Sequence, residues 1–209
     1  MEYARMPDST RIRKINDPGY IKFKLYTIYA VISVFFICVG AIINHFSSDL
    51  LPQIIADDMM SFLIISEQNK KIIDFIASII YNSIDIFKIT FIIIIAGFTY
   101  VSGTISRVTA ALWSTWCGFA LCYCIDIVLE SYSRALVSIM LVATIFYCVV
   151  FISNCVRAEL TAQKFSEYRN ANLLLTSDCF WKYIGGFLIS FGYVLIIYTV
   201  YGFLFKLLM

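Results

Sequence analysis

Four stretches of this chain stay almost wholly apolar for about twenty residues or more, long enough to cross the hydrocarbon core of a bilayer as helices. They run over 25–46 (LYTIYAVISVFFICVGAIINHF), 108–129, 135–156 (ALVSIMLVATIFYCVVFISNCV) and 181–205 (WKYIGGFLISFGYVLIIYTVYGFLF). A fifth, 84–103 (IDIFKITFIIIIAGFTYVSG), opens with Asp85 and Lys88 but has an Ile-rich centre, and both charges can snorkel to the interface from its first turn. Only 14% of the residues are charged, against about 25% in soluble domains, too few to clothe a water-facing surface. The expected fold class is therefore all-α: a polytopic membrane helical bundle of about five transmembrane helices. The apolar part of the first run is too long for a signal peptide and has no small-x-small cleavage site after it, so it reads as a retained anchor.

Five spans put the two ends of the chain on opposite sides. With the N-terminus inside, the inner segments carry Arg5, Arg11, Arg13, Lys14, Lys22, Lys24, Arg107, Arg157, Lys164, Arg169 and Lys182, and the outer ones carry Lys70, Lys71, Lys88, Arg134 and Lys206. Eleven basic residues against five set the N-terminus in the cytoplasm and the C-terminus outside. Residues 1–24 then form a cytoplasmic tail, and 25–209 a single membrane domain. The outer segment 47–83 carries Leu50, Leu51, Ile54, Ile55, Met59, Phe62 and Leu63 at helical spacing, with Asp57 and Asp58 opposite. That pattern predicts amphipathic helices over the outer leaflet or the bundle, or a docking surface for an extracytoplasmic partner. The inner connection, 157–180, is polar with mixed charge and predicts a helix along the inner surface.

The third span has an unusual composition. Ala110, Ser114, Gly118 and Cys122, followed by Asp126, recur at four-residue steps. Each step over-rotates a 3.6-residue helix by about 40°, so these residues trace a shallow spiral. Small residues at this spacing let membrane helices approach closely, within one bundle or against another subunit. Gly97 and Gly103 are placed to do the same across the connection between the second and third spans, and Gly186 with Ser190 repeats the pattern in the last. Asp126 lies near the outer end of its span. It either reaches interfacial water, pairs with Lys88 at similar depth, or lines a polar path, since a carboxylate within a span is otherwise expensive. Arg107, at the cytoplasmic turn, reads as a topogenic charge, and the sequence offers no second buried charge for a relay.

The motifs of catalysis are missing from the sequence. Asp126 has no second in-span aspartate, and neither HExxH nor a GxxxxGKS loop occurs. Cys117, Cys122 and Cys124 do not have zinc-ligand spacing, and His45 is distant in sequence. No catalytic, cofactor-binding or metal-binding residue is therefore expected, nor an enzyme. The net charge of +2 and the lack of a long basic run exclude a nucleic-acid partner. The lipid bilayer and other membrane or extracytoplasmic proteins remain as partners.

The order of parts resembles the stage II sporulation protein M family of bacterial membrane proteins: a basic tail, one span, an outer amphipathic segment, a close pair of Gly-containing spans, then two more. Residues 86–124, IFKITFIIIIAGFTYVSGTISRVTAALWSTWCGFALCYC, are similar to the family's central block, with Gly97, Gly103, Gly118 and Phe119 as matching positions. DLLPQIIADDMMSFL, 49–63, is similar to the amphipathic stretch after the family's first span. The chain departs from the family pattern at Thr104 or Ile105, where proline is frequent, and at Cys117, where a basic residue often precedes the Gly-Phe pair. The resemblance implies a bacterial plasma-membrane scaffold without catalysis that anchors peptidoglycan-degrading enzymes during engulfment. The alternative is a permease subunit of an ABC-type transporter, for which a separate ATPase would be needed.

Overall fold

The computed structural model describes residues 18–46, 87–131, 134–170 and 177–208, and all regular structure among them is helical. In chain order the helices are α1 (Pro18–Phe46), α2 (Phe87–Ala96), α3 (Ser102–Ser131), α4 (Arg134–Asn170) and α5 (Ser177–Leu208). Among the described residues three helical stretches, Gly19–Phe46, Val137–Ser166 and Phe180–Leu204, are long and apolar enough to cross a membrane. Phe87–Ala96 is a shorter apolar helix. The expected N-terminal tail up to residue 17 and most of the outer amphipathic segment, 47–83, lie outside the described residues.

Local chemistry accounts for the helix ends. Pro18 opens α1, where its missing N–H removes only a donor that would have no partner in the helix. The apolar run 84–103 does not continue as one helix: α2 ends at Ala96, and a turn over 97–101 leads into α3. Phe98 N donates to Ile95 O at 3.0 Å, Thr99 N to Ala96 O at 2.8 Å and Ser102 N to Thr99 O at 3.3 Å. The Thr99 hydroxyl adds a second bond to Ala96 O at 2.8 Å. Gly103 thus belongs to α3, which starts six residues before the apolar reading placed it. α4 passes Val156 without a break and reaches Asn170. The inner connection is therefore not a separate surface helix over its first half, because AELTAQKFSEYR holds neither glycine nor proline to stop the fourth helix. At about 1.5 Å per residue, the 37 residues of α4 span about 55 Å.

Side-chain contacts fix the direction of each helix. Tyr29 of α1 lies level with the start of α3, and Gly40 with Thr115 and Phe119, so α1 and α3 run parallel. α4 descends beside α3: Trp113 meets Tyr147 and Phe151, and Arg107 meets Glu159. Cys117 and Cys148 face one another across the same pair. α5 climbs back, with Tyr198 beside Tyr147 and Ser190 beside Arg157. α2 is antiparallel to α5, with Phe87 against Phe191 and the C-terminal end of α2 against Tyr183. The directions alternate from helix to helix. The main core joins Leu25 and Tyr29 of α1, Ile93 of α2, Ala110 of α3, Phe151, Cys155 and Val156 of α4, and Tyr183 and Phe187 of α5.

Candidate functional site

The four-residue steps of α3 form its buried seam. Ala110 and Ser114 are buried, and the seam extends back through Ser106 and Ser102, also buried. Further along, a Cβ on Gly118 would collide with the backbone of α1 at Ile37, its carbonyl oxygen first and its carbonyl carbon at 2.8 Å. The reciprocal contact is made by Gly40, where a Cβ would meet Thr115 O and stand 2.7 Å from Phe119 N. Two glycines, one on each helix, thus bring α1 and α3 into direct backbone contact. Cys122 is half-buried. The side chain of Asp126 lies outside the described residues, and with it the suggested pairing with Lys88, which is exposed on α2.

The small residues also make room for polar side chains. Gly103 faces the Glu159 carboxylate, whose Oε1 would lie 3.1 Å from an added Cβ. That oxygen accepts a hydrogen bond from Arg107 Nη2 at 2.7 Å, and Oε2 accepts one from the Tyr29 hydroxyl at 2.8 Å. The Glu159 side chain is 8% exposed and that of Arg107 45%. A carboxylate in such surroundings is tolerated because both oxygens are engaged, one of them by a cation. Arg107 is therefore more than the topogenic charge expected of it: it ties α3 to α4. Glu159 is also a buried charge that the sequence did not offer, because its place beyond the apolar run suggested a solvated connection. One signal was present: Cys155 and Glu159 lie one helical turn apart, and no helix breaker separates them from the span.

A second polar contact lies on the other side of α4. Arg157 rests on Gly186, where an added Cβ would stand 2.6 Å from the guanidinium carbon. Its Nη1 donates to Ser190 Oγ at 3.3 Å, and the Ser190 hydroxyl donates to Gly186 O at 3.0 Å. The guanidinium carbon also stands 5.5 Å from the ring centre of Phe187. Gly186 and Ser190 thus receive a cation rather than a neighbouring backbone. Gly97 receives a phenol: a Cβ there would strike the Tyr183 hydroxyl and stand 2.6 Å from Cζ.

Tyr183 closes the end of α2. Its hydroxyl donates to Ile94 O at 2.9 Å, a carbonyl left without its helical partner because Phe98 N turns to Ile95 O, and lies 3.5 Å from Ile93 O, which Gly97 N already bonds at 3.1 Å. The ring packs edge-on against Phe98 and Phe187. Tyr183→Phe keeps that packing and removes the donor, and is expected to cost about 1 kcal/mol. A fall in the melting temperature of the purified protein checks it, whereas an unchanged value would mean that the turn holds without this bond. Tyr29, Glu159 and Tyr183 escaped the sequence reading, and Arg157 entered it only as one of the inner positive charges, since none stands out as a contact until the helices are paired. No protein-family model, curated protein or solved structure matches the chain.

Proposed function

We propose that this chain is a non-enzymatic scaffold embedded in a bacterial plasma membrane, in the manner that its resemblance to the stage II sporulation protein M family implies. It would have about five spans, with the N-terminus in the cytoplasm and the C-terminus outside. Its outer surface would recruit extracytoplasmic partners such as peptidoglycan hydrolases. The observation that carries this reading is that the buried carboxylate is closed within the chain. Both oxygens of Glu159 accept bonds from Tyr29 and Arg107, so the charge joins three helices instead of facing a substrate. The alternating helix directions support the five-span topology. So does the clustering of Lys22, Lys24, Arg107, Lys164 and Lys182 at one end of the bundle, which those directions imply.

Two measurements test it. Reporter fusions after residue 60 are expected to report the outside and fusions after residue 170 the cytoplasm; a cytoplasmic signal at residue 60 overturns the topology. Extracytoplasmic proteins co-purifying with the wild type are expected to be retained by Asp126→Asn at unchanged abundance. Intact partner binding with complete loss of cellular function would instead promote the permease.

One observation favours that second reading. The apolar run of α2 is interrupted by the turn at 97–101, and Gly103, just beyond it, faces a buried carboxylate. Interrupted helices beside a charge are a feature of transporter sites. A neighbouring gene for an ATP-binding cassette subunit would favour the permease, and one for a wall hydrolase the scaffold.

A further inference from the structure

Arg157 is held in an uncommon way. Its guanidinium lies against Gly186 and Phe187 in the groove between α4 and α5, yet among the described residues its one hydrogen bond is the 3.3 Å contact with Ser190. A guanidinium has five N–H donors, and among the described residues this one has no ion-pair partner. Glu159, two positions away, points about 200° around the helix and is bound to Arg107. A cation in apolar surroundings needs an anionic oxygen, and a guanidinium fork fits two oxygens of one phosphate.

The rest of the groove suits a lipid as the source of that phosphate. Lys164 stands two turns beyond Arg157 on α4, and Lys182 one turn before Gly186 on α5, and both are exposed. Seven- and four-residue separations place them on the same sides of their helices as the groove. The antiparallel course of α4 and α5 brings both lysines to its mouth. Beside the mouth, Trp181 is 67% exposed, at the depth where tryptophan marks the headgroup region. Above Gly186, Ile189 and Tyr193 continue the same side of α5 and are exposed, a surface for an acyl chain.

We propose that this groove binds the headgroup of an anionic phospholipid of the inner leaflet, with Arg157 gripping the phosphate and Lys164 and Lys182 drawing the net negative charge to the entrance. The site depends on the chain crossing the membrane, which the reporter fusions test separately, but not on any partner protein. A failed partner pull-down would therefore leave it standing.

The test uses the full-length protein in a detergent free of phosphate. Dioleoyl phosphatidylglycerol, dioleoyl phosphatidylcholine and glycerol 3-phosphate are titrated separately, with bound molecules counted by native mass spectrometry and the melting temperature recorded. Phosphatidylglycerol is expected to bind about tenfold more tightly than phosphatidylcholine and to raise the melting temperature. Arg157→Gln is expected to weaken phosphatidylglycerol about tenfold or more, with Arg157→Lys in between because it keeps charge but loses the fork. Lys164→Gln with Lys182→Gln, both at the surface, weakens it about threefold and serves if the arginine variants do not fold. Lys22→Gln, exposed on α1, is expected to bind as the wild type. Equal binding of the two lipids, or wild-type affinity in both the arginine and the double-lysine variants, overturns the proposal. Equal binding of glycerol 3-phosphate overturns the lipid as source. Loss of a stoichiometric second membrane protein from Arg157→Gln, without preference for either lipid, assigns the guanidinium to a partner's carboxylate and also overturns it.

Discussion

Arg107→Ala is expected to destabilise the protein more than Glu159→Gln, although Arg107 is the more exposed of the two. Removing the arginine leaves the Glu159 carboxylate, 8% exposed, with Tyr29 as its remaining donor. Breaking a buried pair from one side typically costs about 3–5 kcal/mol. The lower end of that range applies, because the Arg107 side chain is 45% exposed and shares its charge with its surroundings. Glu159→Gln removes the charge but keeps an acceptor, and it strands a cation that can turn outward, so about 1–2 kcal/mol is expected. The double variant Arg107→Ala, Glu159→Gln is expected to recover part of the loss, since no unpaired buried carboxylate remains. Melting of the detergent-purified proteins checks the order. If Glu159→Gln is the more damaging, the cluster is held by Tyr29 and Gly103 rather than by the ion pair.

An alanine at Gly118 or Gly40 is expected to be enough to part α1 from α3. At both positions the new methyl meets main chain of the opposite helix, Ile37 in one case and Thr115 with Phe119 in the other. A side-chain obstacle could rotate away, but a backbone one moves only with its helix. Overpacking usually costs about 1–3 kcal/mol, and here the upper end or more is expected, with Gly118→Leu worse still and reduced protein levels. Phe119→Leu, which removes bulk from a buried position, should be milder. Gly185→Ala and Gly192→Ala are the controls. Nothing lies within 4 Å of a Cβ at either position, so both are expected to be neutral or stabilising by up to about 1 kcal/mol. Comparing the folded fraction after a fixed heat step tests all four alanine variants. Normal accumulation of Gly118→Ala would mean that the α1–α3 contact is not part of the native bundle.

The difference between what could and could not be read from the sequence has a physical origin. The steps Ala110, Ser114 and Gly118 were legible because small residues at helical spacing in an apolar span carry a local meaning, close approach, whatever the neighbour is. The identity of the neighbour was not legible. Gly186 and Gly97 belong to the same pattern, yet one admits a guanidinium and the other a phenol, a distinction made by residues on other helices. The charges were misplaced for another reason. Hydropathy ends the fourth span at Val156, but backbone hydrogen bonding does not stop where the side chains become polar, and α4 carries Arg157 and Glu159 into the packed bundle on the same rod. The turn after Ala96 was expected a few residues later, since FTYVSG is apolar enough to extend the run even though Gly97 already permits the break.

α4 has a mechanical consequence. Arg157 and Glu159 are two residues apart and project to opposite sides, one clasping α5 and the other α1 and α3. With no flexible joint between them, they behave like two teeth cut on one axle. A rotation of α4 sufficient to release one clasp also withdraws the other, so the two sides of the bundle cannot loosen in turn. Load applied to the Asn170 end of this helix is delivered to both at once.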